Sequence, residues 1–425
     1  MGRMKQSKLF TKTRKEAPAD EVSKNAELLI RGGFIHKEMA GVYTYLPLGL
    51  RVFKNIENII RQEMNQIGGQ EIAMTALQEK ETWEPTDQWR DESVDVWFKT
   101  KLKNETELGL AVTHEAPITK MLKGFLQSYR DLPQYIYQFQ TKFRNETRAK
   151  SGIMRCREFV MKDLYSFDLD EKSHLEFYEK SKKAYKKIFD RIGIGHLTYL
   201  TFASGGMFSK FSHEFQTLTS AGEDTIFVDE SKGIAINKEV NTDEVLEGLG
   251  IDRKNLVEHR AVEVGNIFTL GTRFSDALDL KYRTEEGEKK SVFMGSYGIG
   301  PGRVMGTVVE VLSDDKGIIW PESIAPYALH LLALGEDEEV LKEADKVYEK
   351  LVQNNIEVLF DDRKDISAGE KFSDADLLGM PWRAVVSARS LKDLSSGGIE
   401  IKKRTEEKGK IVSLDELLKL LKPIS

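Results

Sequence analysis

The order of elements changes character at Trp320-Pro321, and this change restricts the folds open to the chain more than any other feature. Beyond it the spacing predicts strand Tyr327 to Leu334, helix Glu338 to Gln353, strand Ile356 to Phe360 and a helix. Strands Arg383 to Ala388 and Gly398 to Arg404 and helix Leu414 to Leu421 follow. Such alternation belongs to a separate α/β domain with a largely buried sheet. A boundary is therefore expected near residue 325, giving domains at 1–325 and 326–425. The length agrees, because 425 residues exceed one hydrophobic core at about 150 residues per domain.

Before the boundary the grammar is mixed. Val22, Ala26, Leu29 and Ile30 recur at helical spacing and stop at Gly32-Gly33. Leu50, Phe53, Ile56, Ile60, Met64 and Ile67 form a longer stripe ended by Gly68-Gly69, with a strand expected from Glu71 to Leu77. Phe143 to Glu146 and Arg157 to Phe167 read as the two strands of a hairpin around a polar loop, and Glu171 to Arg191 reads as a helix. Residues 291–297 read as a strand running through glycines into the apolar helix Val304 to Leu312. The charged, weakly periodic segment at 229–260 reads as a small insertion or surface excursion.

Composition removes several functional classes. Hydrophobic residues at 40%, charged at 31% and aromatic at 9%, with no apolar run long enough to span a bilayer, describe a soluble globular protein with no membrane role. A single cysteine, Cys156, forbids an internal disulfide, and seven scattered histidines cannot complete a zinc cage, so a reducing cytoplasm fits and no zinc is expected. A net charge of −6 argues against coating nucleic acid by bulk electrostatics. The basic start, Arg3, Lys5, Lys8, Lys12, Arg14 and Lys15, reads as a solvated beginning to the first domain, because no apolar stretch or cleavage site follows it.

Two motifs carry chemistry. Gly298-Ile-Gly300-Pro-Gly302-Arg303 joins a strand to a helix but is not a dinucleotide turn, since the third glycine of that pattern falls on Arg303 and no short βαβ unit follows. It reads either as close strand-helix packing or as an arginine held to neutralise a phosphate. In the hairpin, Arg144 and Glu146 fall on one face by strand alternation, as do Met161, Asp163 and Tyr165. That pairing suits a nucleotide gripped by phosphate and base, and suits equally a cross-strand ion-pair ladder.

Together these motifs resemble motifs 2 and 3 of the class II aminoacyl-tRNA synthetases, with the Leu50 to Leu77 helix and strand where motif 1 belongs. The closer resemblance is to the bacterial-type prolyl-tRNA synthetases. It is carried by Ala17-Pro18-Ala19-Asp20, Gly41-Val-Tyr-Thr-Tyr-Leu-Pro-Leu-Gly49, Thr113-His114-Glu115 and Arg155-Cys-Arg-Glu-Phe-Val-Met-Lys-Asp-Leu-Tyr-Ser-Phe167. Ser212-His213-Glu214-Phe215 and Glu263-Val-Gly-Asn-Ile-Phe268 complete it, so that it runs over nearly the whole chain. The resemblance implies an α+β catalytic domain built on an antiparallel sheet, followed by a C-terminal α/β anticodon-binding domain. It implies that L-proline is activated with ATP, accompanied by Mg²⁺ on unassigned ligands, to prolyl-adenylate and passed to the 3′ end of tRNA(Pro). In that scheme Arg144 meets the α-phosphate and Arg303 the γ-phosphate, Glu146 reads the adenine amino group, Phe159 stacks on the ring and Arg155 reaches the terminal phosphates. Thr113 and Glu115 hold the imino group, with Arg144, Met161, Asp163, Tyr165, His213 and Ser296 around the proline. Asp361, Arg363, Arg383 and Lys402 are the corresponding anticodon candidates.

Departures from the family pattern shape three further expectations. Motif 1 usually carries a proline where this chain has Thr75, which bears on the geometry of the expected homodimer. Ser296 stands before the motif 3 tyrosine where cysteine is common, and is of similar size. Between Phe167 and Met294 there is no room for the large editing domain of many bacterial relatives, so correction of mischarged tRNA falls to a separate protein. A threonyl enzyme would need zinc ligands that this chain lacks. A catalytically silent, RNA-binding or regulatory paralogue is the alternative from another functional class, and loss of Arg144, Glu146 or Arg303 would have favoured it.

Overall fold

The computed structural model describes residues 4–18, 21–149, 151–204, 211–393 and 398–421. Arg3, Ala19, Asp20 and Lys150 lie outside the described residues. Two compact units emerge, one made of Met1–Lys37, Thr44–Asn55 and Val308–Ser425, the other of Glu38–Tyr43 and Ile56–Thr307. The boundary expected near residue 325 is a single cut, whereas the early residues join the later unit. Met4–Lys5 pairs in parallel with Leu359 and Phe360, Lys5 meets Asp345 at 2.5 Å, and Gln6 Oε1 lies 2.9 Å from His330 Nε2. The basic start is thus partly an edge strand.

The 56–307 unit is α+β. Its nine-stranded sheet runs in the order Phe211–Leu218, Thr198–Ser204, Ile234–Asn237, Asp224–Asp229, Leu256–Gly271, Phe293–Ile299, Glu158–Asp168, Gln134–Phe143, Gln70–Glu71. The central pairings are antiparallel. Phe211–Leu218 also pairs with Leu256–Gly271, which closes five strands into a ring. The 229–260 segment is therefore no surface excursion. It supplies the Ile234–Asn237 strand, the helix Asp243–Leu249 and the start of the Leu256–Gly271 strand, and it buries Ile236, Val240, Leu246 and Ile251 together.

One face of this sheet is covered by the helix Glu171–Ile192. Asp170 caps its start in a reciprocal box with Ser173, and Gly193, at φ 98°, ends it in the left-handed conformation that glycine tolerates. Phe177, Tyr178, Ser181, Ala184, Tyr185, Ile188, Phe189 and Ile192 form its buried stripe at three- and four-residue spacing. Strand alternation then assigns the faces. Lys162 reaches Tyr185 on the helix side, whereas Met161, Asp163 and Tyr165 line a cavity on the other.

The expected strand Glu71 to Leu77 is two short pieces in different sheets. Gln70–Glu71 pairs with Gln134–Phe143, and Leu77–Glu79 pairs with Glu107–Leu110. Between them Met74 donates its N–H to the Gln138 side chain at 3.0 Å instead of to a neighbouring strand.

The other unit holds a six-stranded sheet in the order Met4–Lys5, Val358–Asp361, Leu329–Leu334, Trp382–Ser387, Ile399–Lys403, Lys410–Val412. The first four strands are parallel, and the last two pairings are antiparallel. Leu329–Leu334 is buried over five of its six residues, as a central parallel strand should be. The helix Glu338–Gln353 covers it with Val340, Ala344, Val347, Tyr348 and Leu351. Among the described residues no helix is long and apolar enough to cross a membrane.

Candidate active site

The central strands of the nine-stranded sheet form the floor of a cavity of about 340 Å³, reached by Thr113, Glu115, Arg144, Glu146, Met161, Asp163, Tyr165 and Ser296. A second recess shares Arg144, Glu146 and Met161 with it and adds Arg155, Phe159 and Arg303. All the catalytic-unit residues singled out in the sequence are brought together here except His213.

His213 faces the helix side. Its Nδ1 lies 2.9 Å from the Tyr178 hydroxyl, and burial lowers it to about 4, so it is neutral. Its neighbour Glu214 points into the cavity instead, together with Glu263 and Asn266. Glu214 is pushed up to about 8 by burial and by the charge of Glu263.

The ladder ends at Phe143, so Arg144 and Glu146 stand just beyond the strand rather than within it. Arg144 is nevertheless fixed: its N–H donates to the Arg157 carbonyl at 2.8 Å, and its guanidinium lies 5.4 Å from the centre of the Phe159 ring. Burial and the nearby Arg303 charge both push Arg144's pKa down, as expected of a cation short of its counter-ion. Glu146 accepts two hydrogen bonds from Arg155, at 2.8 and 3.1 Å, and Arg155 also meets Glu223 at 2.5 Å.

Arg303 sits in the first turn of the helix Pro301–Val311. It donates Nε to the Met154 carbonyl at 2.9 Å and Nη1 to the Glu263 carbonyl at 3.0 Å, which leaves Nη2 without a hydrogen bond among the described residues. The glycine run has a steric purpose as well. A Cβ at Gly298 would meet Asn266 Oδ1 at 2.7 Å, where the Gly298 N–H now donates to that oxygen at 3.2 Å.

A buried polar network lies beneath the Thr113–Glu115 loop. Lys142 Nζ contacts Asp163 Oδ2 at 2.9 Å, and that oxygen also accepts from Gln138 and Tyr165, each at 3.0 Å. Burial alone would raise the Asp163 carboxyl. The Lys142 charge, with the hydrogen bonds from Lys142 and Gln138, outweighs it and holds Asp163 ionised. His114, lowered to about 4 by burial and by the Lys142 charge, donates Nε2–H to the Thr75 carbonyl at 3.0 Å and accepts from Lys142 at Nδ1. Among the described residues Asp163 Oδ1 is buried without a hydrogen-bond partner, and it belongs to a residue that lines the cavity.

Glu115 accepts from the Thr113 hydroxyl, and from Ser296 Oγ at 3.4 Å, while burial pushes its carboxyl up. The cavity thus holds Glu115 and Asp163, and the recess that shares Arg144 with it holds Arg155 and Arg303 beside Glu146 and Glu263. Cys156 lines the recess, but burial raises its thiol to about 12, so it is not a thiolate nucleophile. Among the described residues no group of three or more His, Cys, Asp or Glu could hold a metal ion.

Sequence reasoning missed Glu214 and the apolar wall of Trp83, Val94, Val96, Trp97, Val112 and Phe268. Glu214, Glu263, Asn266 and Phe268 lie within motifs that carry the resemblance but received no role, and the other wall residues have no spacing that marks them.

In the other unit the anticodon candidates form two ion-paired groups. Arg363 bridges Asp361 at 2.7 Å and Asp374 at 2.8 Å, and Arg383 pairs with Asp376 at 3.0 Å. Lys402 stands opposite Arg383 on the neighbouring strand.

Residues 98–312 match the class II tRNA synthetase core domain (G, H, P, S and T), and residues 329–424 match an anticodon-binding domain, which defines a class II aminoacyl-tRNA synthetase architecture. The proline–tRNA ligase of Ehrlichia ruminantium (strain Gardel) is 37% identical over 429 residues, covering 98% of this chain and 99% of its own. That of Wolbachia pipientis wMel is 36% identical over 426 residues, with coverage of 98% and 99%. The chain belongs to the proline–tRNA ligase family. The alignment with the ligase of Caldicellulosiruptor bescii, at 32% identity and 98% coverage of both chains, runs over 566 positions, so that relative carries a long segment without counterpart in these 425 residues. The fold matches prolyl-tRNA synthetases from Cryptosporidium parvum, with L-proline and AMP (TM-score 0.73, 17% identity, 92% of this chain and 72% of that one), and Giardia lamblia, with prolyl-adenylate (0.75, 18%, 92% and 73%).

Proposed function

We propose that the chain activates L-proline with ATP and transfers it to the 3′ end of tRNA(Pro), and that the cavity joining Glu115 to Arg144 and Arg303 is where activation occurs. The observation that carries this is that the cavity and the recess sharing Arg144 with it bring Glu115 and Asp163, acceptors for a cationic imino group, together with Arg144 and Arg303, donors for phosphates. The proline carboxylate attacks the α-phosphorus, an acyl–phosphate bond forms, the bond to the β-phosphate oxygen breaks, and pyrophosphate leaves. Arg144 stabilises the charge that develops on the α-phosphate without reorganising, and the free Nη2 of Arg303 takes the γ-phosphate.

Binding of ATP exchanges partners at the nucleotide end. Arg155 leaves Glu146 for the terminal phosphates, and Glu146 then accepts from the adenine amino group while the ring stacks on Phe159. At the other end the two imino N–H donors find Glu115, Thr113 and the unpartnered oxygen of Asp163. Ser296 holds Glu115 in place, and Met161 and Tyr165 wall the ring. The terminal ribose hydroxyl of the tRNA then attacks the acyl carbonyl and AMP departs.

The same reading includes a homodimer, residence in the cytoplasm, anticodon contacts among Asp361, Arg363, Arg383 and Lys402, and removal of mischarged alanine by another protein. ATP–pyrophosphate exchange with each of the twenty amino acids tests the activity. Proline alone should drive it efficiently, and a better response to threonine or no response to proline would refute it.

A further inference from the structure

The unit with the parallel sheet contains a cleft of about 650 Å³ that no catalytic residue reaches. Its wall gathers cations from three stretches of chain: Arg14 and Lys15, Arg31 at the end of the helix Lys24–Arg31, and Lys316. The backbone explains the gathering. Arg14 donates its N–H to the Arg31 carbonyl at 2.8 Å, which lays the early segment along the helix end. Lys316 rides on a turn in which Asp314 accepts its N–H at 2.9 Å and is itself clamped by Arg404 at 2.6 and 2.9 Å.

The charges of the wall do not balance. Asp374 is taken by Arg363, Asp376 by Arg383, and Arg31 by Glu27 at 3.0 Å. Arg14, Lys15 and Lys316 are exposed and have no ion-pair partner among the described residues, and of the wall's acids only Glu370 is likewise unpaired. Three uncompensated cations thus face one acid on a chain whose net charge is −6. Burial, with the charges of Arg383, Lys316 and Arg404, also pushes down the pKa of nearby Lys402.

We infer that this cleft grips the sugar-phosphate backbone of an RNA strand, with Arg14, Lys15 and Lys316 each neutralising a phosphate. The assignment rests on the reading that the chain acts on tRNA, and it adds the early segment, outside the matched anticodon-binding residues 329–424, to the RNA-contacting surface. RNA is the occupant chosen because the substrate proposed above is a tRNA, a polyanion whose phosphates are each neutralised by a Lys or Arg.

The test follows tRNA binding by fluorescence anisotropy between roughly 50 and 200 mM salt, in parallel with proline-dependent exchange. Replacing Arg14, Lys15 and Lys316 together by alanine should reduce the slope of log K against log salt by about 2 to 3, since each phosphate contact contributes about 0.7 to 0.9. Affinity should fall by at least about 10-fold while exchange stays at the wild-type rate, and Arg14→Lys with Lys15→Arg should retain binding. A triple variant with the wild-type slope and affinity would overturn the surface and leave the activity standing. A reduced slope with no exchange in the wild type would uphold the surface and overturn the activity. Poly-glutamate binding as tightly as tRNA would overturn the choice of RNA.

Discussion

Arg144 and Arg303 are oriented largely by backbone carbonyls, Val112 for the first and Met154 and Glu263 for the second, and Arg303 Nη1 also meets the Glu263 carboxylate at 3.4 Å, so that Nη2 is the part of its guanidinium left for a ligand. Alanine at either position should lower proline-dependent exchange by about 10²-fold or more, the scale of losing one preorganised donor to developing charge. Exchange near the wild-type rate in a folded variant would remove that residue from the chemistry. Glu115 carries a second expectation. Burial raises its carboxyl, while Asp163 beside it is held ionised by Lys142. A raised carboxyl is protonated as pH falls, and the cationic imino group then loses an anionic acceptor. kcat/KM for proline should therefore decline on an acid limb that starts above the usual carboxylate range, and Glu115→Gln should be weak and lack that limb. An unchanged limb in Glu115→Gln would assign it to another group. The opposite facing of His213 and Glu214 shows a signal at this scale that the family resemblance overrode. In Phe211–Leu218 the apolar Phe215 shares its parity with His213 and packs on Tyr185 and Phe189, whereas Ser212, Glu214 and Gln216 take the other parity, so the alternation itself puts His213 on the helix side and Glu214 on the cavity side.

Helices and central strands were legible because their periodicity is their packing. The span Glu338–Gln353 follows from a stripe that the sheet buries, and Leu329–Leu334 from an apolar run interrupted only by His330. Short strands were not legible. Ile234–Asn237 has four residues and lies within a charged stretch, so neither a period nor a run could distinguish it from a loop. The glycine run at 298 and the Arg144–Glu146 pair were visible as motifs, yet their meaning came only from a resemblance, because ion-pair ladders and packing glycines share the same spelling. The 229–260 segment now supports a sharp expectation. Replacing residues 230–255 by a short linker should abolish cooperative thermal unfolding of the catalytic unit or leave the protein insoluble, because the ring of five strands loses one member and its core. Retention of the wild-type melting profile in circular dichroism would return the segment to the status of an appendage.

For the whole molecule, a homodimer is expected, built on the helix Pro47–Gln66 and the chain that follows it, where Leu77 is 56% exposed. Multi-angle light scattering at micromolar concentration should give twice the 48.4 kDa chain mass. The monomer mass would exclude that assembly. The pairing of Met4–Lys5 with Val358–Asp361 has a consequence for biosynthesis. A ribosome adding about 5–20 residues each second would make the edge strand's partner roughly 20–70 s after the strand itself. The interval contains all of residues 56–307, so the catalytic unit can close on the nascent chain while the first strand is still waiting. The unit that begins first is thus the one completed last, and a translational pause late in the message would prolong the exposure of its unpaired edge.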